Sequence, residues 1–280
     1  MTSQRRPGRP EPMVSQLTMA ENGVPIIELK NVSKAFGPMR VLDGINLSIR
    51  RAQTTVILGE SGTGKSVLLK TIIGLLKPDR GQVIFDGTDL AAQPERELAR
   101  IRIRFGFLFQ GGALFDSMDA GENVAFTLRQ HTRMPDEKIR QIVRNKLRLV
   151  GLEGIESKMP AKLSGGQKKR VALARAIAMN PEVILYDEPT TGLDPIRSDV
   201  INELIIRLKD RLHVTSIVVT HDMKSAFKVA DRVLMLYQGK FIFDGTTDEL
   251  QHCRDERVRQ FVAGQADPKE LEALRVTEAG

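Results

Sequence analysis

Residues 54–66 read Thr54-Thr55-Val56-Ile57-Leu58-Gly59-Glu60-Ser61-Gly62-Thr63-Gly64-Lys65-Ser66, an apolar strand-sized run that ends directly in a glycine-rich turn. Leu68, Leu69, Ile72 and Ile73 then recur at helical spacing, so strand, loop and helix follow one another without a break. Two glycines, a lysine and a hydroxyl at these positions form the pattern of a phosphate-binding loop. Gly62 and Gly64 leave backbone N–H groups unobstructed, so that they can converge on an anion. The helix start adds a fixed positive potential. Lys65 supplies a mobile cation for the β- and γ-phosphates of a nucleotide, and the Ser66 hydroxyl can ligate Mg²⁺.

Outward from this loop, residues 26–29 and 41–49 read as strands, Pro78, Asp79 and Gly81 break the helix, and residues 83–85 form another strand before the turn at Asp86-Gly87. Residues 90–179 are predominantly helical, with an amphipathic run over Asp136–Leu149 in which Ile139, Ile142, Val143, Leu147 and Val150 share a face. This pattern predicts a helical subdomain at about residues 91–180, inserted into an α/β core. The core resumes with strands at 183–186, 216–220, 232–237 and 241–243, separated by helices, which implies a mostly parallel sheet. After Cys253, Val258, Phe261 and Val262 at i, i+3, i+4, followed by Leu271 and Leu274, predict a short helix and tail over residues 253–280.

Composition removes several classes of function. A single cysteine, Cys253, precludes a disulfide within the chain, and Cys/His metal spacings are absent. No run approaches the roughly 18 apolar residues needed to cross a bilayer. Arg5-Arg6 is followed by proline-rich polar sequence with no apolar export region, so residues 1–25 read as a disordered lead-in to a domain over 26–252. The formal charge of +7 is compatible with nucleic acid, an anionic lipid surface or solubility alone. Arg129, Arg133, Lys138, Arg140, Arg144, Lys146 and Arg148 face few acids and read as a solvated helix face.

Two further motifs bear on the loop. Val183-Ile184-Leu185-Tyr186-Asp187-Glu188 delivers two carboxylates at the C-terminal end of a strand, where α/β sheets place ligands. With the phosphate loop in the same chain, Asp187 becomes the outer partner of Mg²⁺ and Glu188 the group that orients and activates a water. Leu163-Ser164-Gly165-Gly166-Gln167 begins a second helix with exposed amides and a serine hydroxyl, another start fit to grasp a phosphate.

In the order of phosphate loop, glutamine, Leu-Ser-Gly-Gly-Gln, Asp-Glu and histidine, the chain resembles the ABC ATPase family over about residues 26–250. The resemblance implies an α/β P-loop fold with a RecA-like core, an antiparallel β subdomain and an inserted helical subdomain. It implies ATP and Mg²⁺ as ligands. It also implies a head-to-tail homodimer in which Lys65 of one copy and Ser164, Gly165, Gly166 and Gln167 of the other hold the same nucleotide. By position in that family, Phe36 stacks on adenine, Gln110 is the switch glutamine near Mg²⁺ and the water, and His221 senses the γ-phosphate. His131, His213 and His252 keep a structural reading. Glu60 stands where the family often has proline and Val67 where threonine is common, departures that imply altered tuning.

ABC heads also serve DNA repair, chromosomes and ribosomes. This chain carries one head uninterrupted by coiled coil or zinc module, which points to transport and to no direct nucleic-acid contact. Gly111-Gly112-Ala113-Leu114-Phe115-Asp116-Ser117-Met118, with Glu122-Asn123-Val124-Ala125-Phe126 and Leu128-Arg129-Gln130-His131-Thr132, resembles the Mla-type ATPases of Mce lipid transporters, as does Arg257-Val258-Arg259-Gln260-Phe261. That resemblance implies a peripheral subunit at the cytoplasmic face of the inner membrane. Its partners would be an integral permease, an Mce-domain substrate-binding protein and, in some systems, a STAS-domain protein. The alternative is the ATPase of an amino-acid or other polar-solute importer, with residues 111–118 an ordinary permease-docking surface.

Overall fold

All five residues of β3 (Thr54–Leu58) are buried, as a strand covered on both faces must be. The computed structural model describes residues 23–266 and places this strand inside a six-stranded sheet. The expectations for residues 1–22 and for Leu271 and Leu274 lie outside the described residues.

Ahead of β3, β1 (Ile27–Phe36) and β2 (Met39–Ile49) form an antiparallel hairpin that brings Phe36 opposite Met39. With β4 (Arg80–Phe85) and β5 (Thr88–Asp89) they make a four-stranded antiparallel sheet in the order β2-β1-β4-β5. The second sheet runs β10-β9-β3-β8-β7-β6, in which β6 (Phe105–Leu108), β7 (Val183–Asp187), β8 (Thr215–Thr220), β3 and β9 (Arg232–Tyr237) are parallel. Only β10 (Lys240–Gly245), at the edge, is antiparallel to its neighbour. The carboxyl ends of β3, β7 and β8 therefore open on one side, the side where such sheets bind ligands.

Strand alternation sorts the apolar residues into two cores. Val56, Leu58, Ile184, Tyr186 and Val218 face one cluster, together with α3 (Ala120–His131), α4 (Asp136–Leu149), α5 (Gly165–Ala176) and α6 (Pro195–Leu212). Ile57, Val183, Leu185, Ile217 and Val219 face the other, where α1 (Lys65–Ile72) contributes Leu68, Leu69 and Ile72, and the antiparallel sheet contributes Ile27, Leu29, Leu47 and Phe85. The remaining helices, α2 (Glu95–Arg102), α7 (Met223–Val229), α8 (Thr247–Gln251) and α9 (Glu256–Ala263), lie around this frame.

Two readings need correction. The stretch read as predominantly helical contains β6, which forms the far edge of the parallel sheet. Four residues, Phe105-Gly106-Phe107-Leu108, are too few to show alternation. Gly106 is there for close approach, since a Cβ on it would lie 2.6 Å from the Ala176 carbonyl oxygen. The basic run is also less bare than it reads: Arg129 meets Asp136, Arg140 and Arg144 share Glu137, and Arg148 meets Glu153. Lys146 departs from the solvated face. It is buried and donates to Asn180 Oδ1 at 2.6 Å, and burial pushes its ammonium below the usual lysine range.

Candidate functional site

The loop after β3 is held by its own residues. Thr63 Oγ1 donates to the Glu60 carbonyl at 2.9 Å, and Lys65 Nζ donates to the carbonyls of Gly59 and Glu60, each at 2.8 Å. Gly64, at φ 101°, caps α1 in a conformation that L side chains avoid, and a Cβ there would lie 2.6 Å from Val41 Cγ1. Among the described residues no backbone carbonyl accepts from the amides of Gly62, Gly64, Lys65 or Ser66. A ring of unpaired N–H groups at a helix start is a cradle for phosphate. Glu60 turns its carbonyl into the loop and its side chain to solvent, so the departure from proline leaves the cradle intact. Val67 packs on the core beneath the loop.

Asp187 and Glu188 sit where β7 ends. Ser66 Oγ donates to Asp187 Oδ1 at 2.9 Å, which sets a hydroxyl and a carboxylate side by side. Burial raises the Asp187 carboxyl above its ordinary pKa, against the Ser66 hydrogen bond. These are two hard oxygen ligands of the kind Mg²⁺ takes alongside phosphate and water, so the residues present fit that ion.

Glu188 adopts φ 49°, a left-handed conformation costly for a non-glycine residue and concentrated at functional corners. Its N–H donates to the Val219 carbonyl at 3.0 Å, and its carbonyl accepts from Lys169 Nζ at 3.1 Å and Thr191 N at 3.3 Å. The carboxylate lies 2.9 Å from His221 Nδ1, accepts from Thr191 Oγ1 at 3.1 Å and Thr220 Oγ1 at 3.4 Å, and stands 3.5 Å from Lys65 Nζ. An acceptor so placed can receive a proton or orient a water next to the phosphate cradle.

One cleft of about 400 Å³ gathers Phe36, Met39, Val41, Ser61, Gly62, Gly64, Lys65, Ser66, Val67, Gln110, Glu188 and His221. Phe36 is 45% exposed at its mouth, with Lys34 Nζ 5.7 Å from the ring centroid. The helix start at Ser164 is not among the lining residues. Ser164 and Gln167 form a reciprocal cap: Gln167 N donates to Ser164 Oγ at 3.3 Å and Ser164 N to Gln167 Oε1 at 3.0 Å. Ser164 and Gly165 stay exposed, while Gly166 is buried against Arg197. Two of the remaining histidines play local parts. His213 caps α6, and His252 Nδ1 lies 2.9 Å from the Asp248 carbonyl oxygen.

The sequence reading missed Lys169, Thr191 and Thr220 around Glu188. Lys169 carried a signal, since Gly166, Lys169 and Leu173 recur on the buried face of α5. It also missed how the segment after Gln110 is built. The buried Asn123 side chain accepts from Phe115 N and donates to the carbonyls of Phe115, Met118 and Asp119, while Arg175 donates to the carbonyls of Gly112 and Ala113.

A phosphate loop at the end of a central strand, with a carboxylate pair on another parallel strand and a histidine beyond a third, defines a P-loop nucleoside triphosphatase. The chain belongs to the ABC transporter family: the family profile described as "ABC transporter" matches residues 42–191. It is 46% identical to the intermembrane phospholipid transport system ATP-binding protein MlaF of Haemophilus influenzae, over 86% of this chain and 92% of that one. It is 44% identical to the probable ribonucleotide transport ATP-binding protein mkl of Mycobacterium leprae, over 85% of this chain and 69% of that one. The dimeric ATP-binding cassette MJ0796, solved with ADP and Pi after hydrolysis, superimposes with a TM-score of 0.73 at 36% identity, covering 79% of this chain and 98% of its own. The chain is accordingly an ATP-binding, ATP-hydrolysing member of the family.

Proposed function

We propose that this chain is the motor of a transporter that moves phospholipid or another hydrophobic substrate across the bacterial envelope, in service of outer-membrane lipid asymmetry. Two copies meet head to tail and drive a separate membrane permease from the cytoplasmic face of the inner membrane. Among the described residues no helix is long and apolar enough to cross a membrane. An Mce-domain substrate-binding protein and, in some systems of this kind, a STAS-domain protein complete the proposed assembly.

The observation that carries the motor reading is the division of the site. Lys65, Ser66, Glu188 and His221 share one cleft, while the exposed helix start at Ser164 lies outside it, free to face the nucleotide of a second copy. In this reading Phe36 stacks on adenine, and Gly59, Glu60, Ser61, Gly62, Thr63, Gly64, Lys65, Ser66 and Val67 form the loop around the phosphates. Gly165, Gly166 and Gln167 complete the opposite grip with Ser164. Ser66, Asp187 and Gln110 would hold Mg²⁺, and the ion when bound would offset negative charge on the phosphate oxygens. Glu188 directs water at the γ-phosphate, and His221 holds the Glu188 carboxylate in place. The Gln110 segment, fastened to α5 by Arg175, passes opening and closing to the permease.

The lipid reading is supported by similarity to MlaF over nearly the whole of both chains, and by the segment from Gly111 to Thr132. The ribonucleotide named for the mycobacterial relative favours the second reading, a polar-solute importer. The test is to capture the tagged chain with its membrane partners from the source cells and rebuild the complex in liposomes. ATP-dependent movement of labelled phospholipid, abolished by Glu188→Gln, supports the lipid reading. Uptake of a polar solute with no lipid movement replaces it by the second.

A further inference from the structure

Lys169 is 6% exposed, and its ammonium donates to a backbone carbonyl instead of forming a direct ion pair. That carbonyl belongs to Glu188, 3.1 Å away, and burial pushes the Lys169 ammonium down to about 8. Keeping a long cationic side chain inside a protein is costly unless its donors are used. Here the donor serves the one non-glycine residue of the cleft that is held at positive φ.

The peptide on the C-terminal side of Glu188 sets where its carboxylate points. Two donors hold it, Lys169 Nζ from α5 and Thr191 N from the following turn. Thr191 is local to the corner, but Lys169 reaches it from another element. It lies five residues beyond Ser164, about 7.5 Å along the helix axis. The same end of α5 rests on the segment after Glu188: a Cβ on Gly165 would meet Leu193 Cδ2 at 3.7 Å, and one on Gly166 would meet Arg197 Cδ at 3.4 Å. The first turns of α5 and residues 188–197 therefore form one packed unit.

We propose that Lys169 is a positioning residue for hydrolysis, which holds the Glu188 peptide in its left-handed conformation and ties it to the helix whose exposed start grips the nucleotide of the opposite copy. This rests on Glu188 being the group that directs the water. Engagement of Ser164 in one site then bears, through α5 and Lys169, on the catalytic corner of the other site. Lys169 touches no reacting atom, so its loss misplaces the carboxylate and leaves the phosphate cradle as it was.

The test uses the full-length chain, with steady-state ATPase assays and equilibrium binding of fluorescent ATP. Lys169→Met removes the donor and keeps the apolar stem in the space Lys169 fills. It is expected to lower kcat roughly tenfold or more while ATP affinity changes less than about twofold. Lys169→Gln, which restores an N–H donor without charge, is expected to recover most of the lost kcat and also gives an answer if the Met variant does not fold. A Met variant with parental kcat, loss of kcat and affinity together, or a Gln variant that turns over no faster than the Met variant (or, if the Met variant does not fold, at least tenfold below parent) would each overturn the proposal. Glu188→Gln assayed alongside separates the two claims, because full turnover in that variant removes Glu188 itself from catalysis whatever the Lys169 series shows.

Discussion

His221 Nδ1 lies 2.9 Å from Glu188 Oε2, although the two residues stand at the ends of neighbouring strands, β8 and β7. The contact fixes the carboxylate that stands 3.5 Å from the Lys65 ammonium in the cleft. Glu188→Gln keeps the shape and removes the proposed base, so kcat is expected to fall by roughly 10²–10⁴ with ATP affinity retained. His221→Ala should give a smaller loss of the same kind. Binding and turnover measured separately check both, and parental turnover in Glu188→Gln would remove this carboxylate from the chemistry.

The Ser66–Asp187 hydrogen bond places a hydroxyl beside a carboxylate at the foot of the phosphate cradle. Asp187→Asn should raise the Mg²⁺ concentration for half-maximal activity by roughly ten- to a hundredfold. Chelation with EDTA should stop hydrolysis in the parent. A Mg²⁺ titration of the variant that overlays the parent curve would contradict this assignment.

Phe36 offers a half-exposed ring at the mouth of the cleft. If adenine stacks there, Phe36→Ala should weaken ATP binding roughly tenfold, in line with the loss of one base–aromatic contact. Binding of inorganic triphosphate, which has no base, should be unchanged. Equal losses for both ligands would mean that the ring supports the loop and not the base.

Away from the cleft, Arg104 bridges Asp86 in the β4–β5 turn and Glu182 beside β7, with Arg51 as a second partner of both acids. Hydrogen bonds from Arg104 hold both carboxyls below their ordinary values of 3.8 and 4.5. A lowered folded-state pKa contributes stability that is present above the unfolded value and is lost as pH falls through the folded one. Arg104→Met should therefore lower Tm at pH 7, and the gap from the parent should narrow as pH falls below about 4. Thermal melts at a series of pH values check this. A gap that does not change with pH would place the effect in packing alone.

The parts of the fold legible in the sequence were those with a local signature. The loop from Gly59 to Ser66 announces itself by residue type, and α4 by the spacing of Ile139, Val143 and Leu147. β6 was not legible, because four residues at a sheet edge carry no period and its glycine answers to a distant carbonyl on α5. The site follows the same rule. Lys65, Ser66, Asp187 and Glu188 sit in recognisable strings, whereas Lys169, Thr191, Thr220 and Asn123 act through contacts that only the folded chain creates. Lys146 is buried within an otherwise solvated basic run because it falls on the face of α4 that carries Val143 and Leu147.

The shared site is tested most directly by mixing two inactive variants, Lys65→Ala and Ser164→Arg. A mixed dimer holds one doubly damaged site and one site built from an intact Lys65 and an intact Ser164. Mixing is therefore predicted to restore ATP hydrolysis, with the most mixed dimers and the highest activity near equal amounts of the two chains. If the mixture stays as inactive as its components while mixed dimers are shown to form, each chain works its own nucleotide and the two-grip account is wrong.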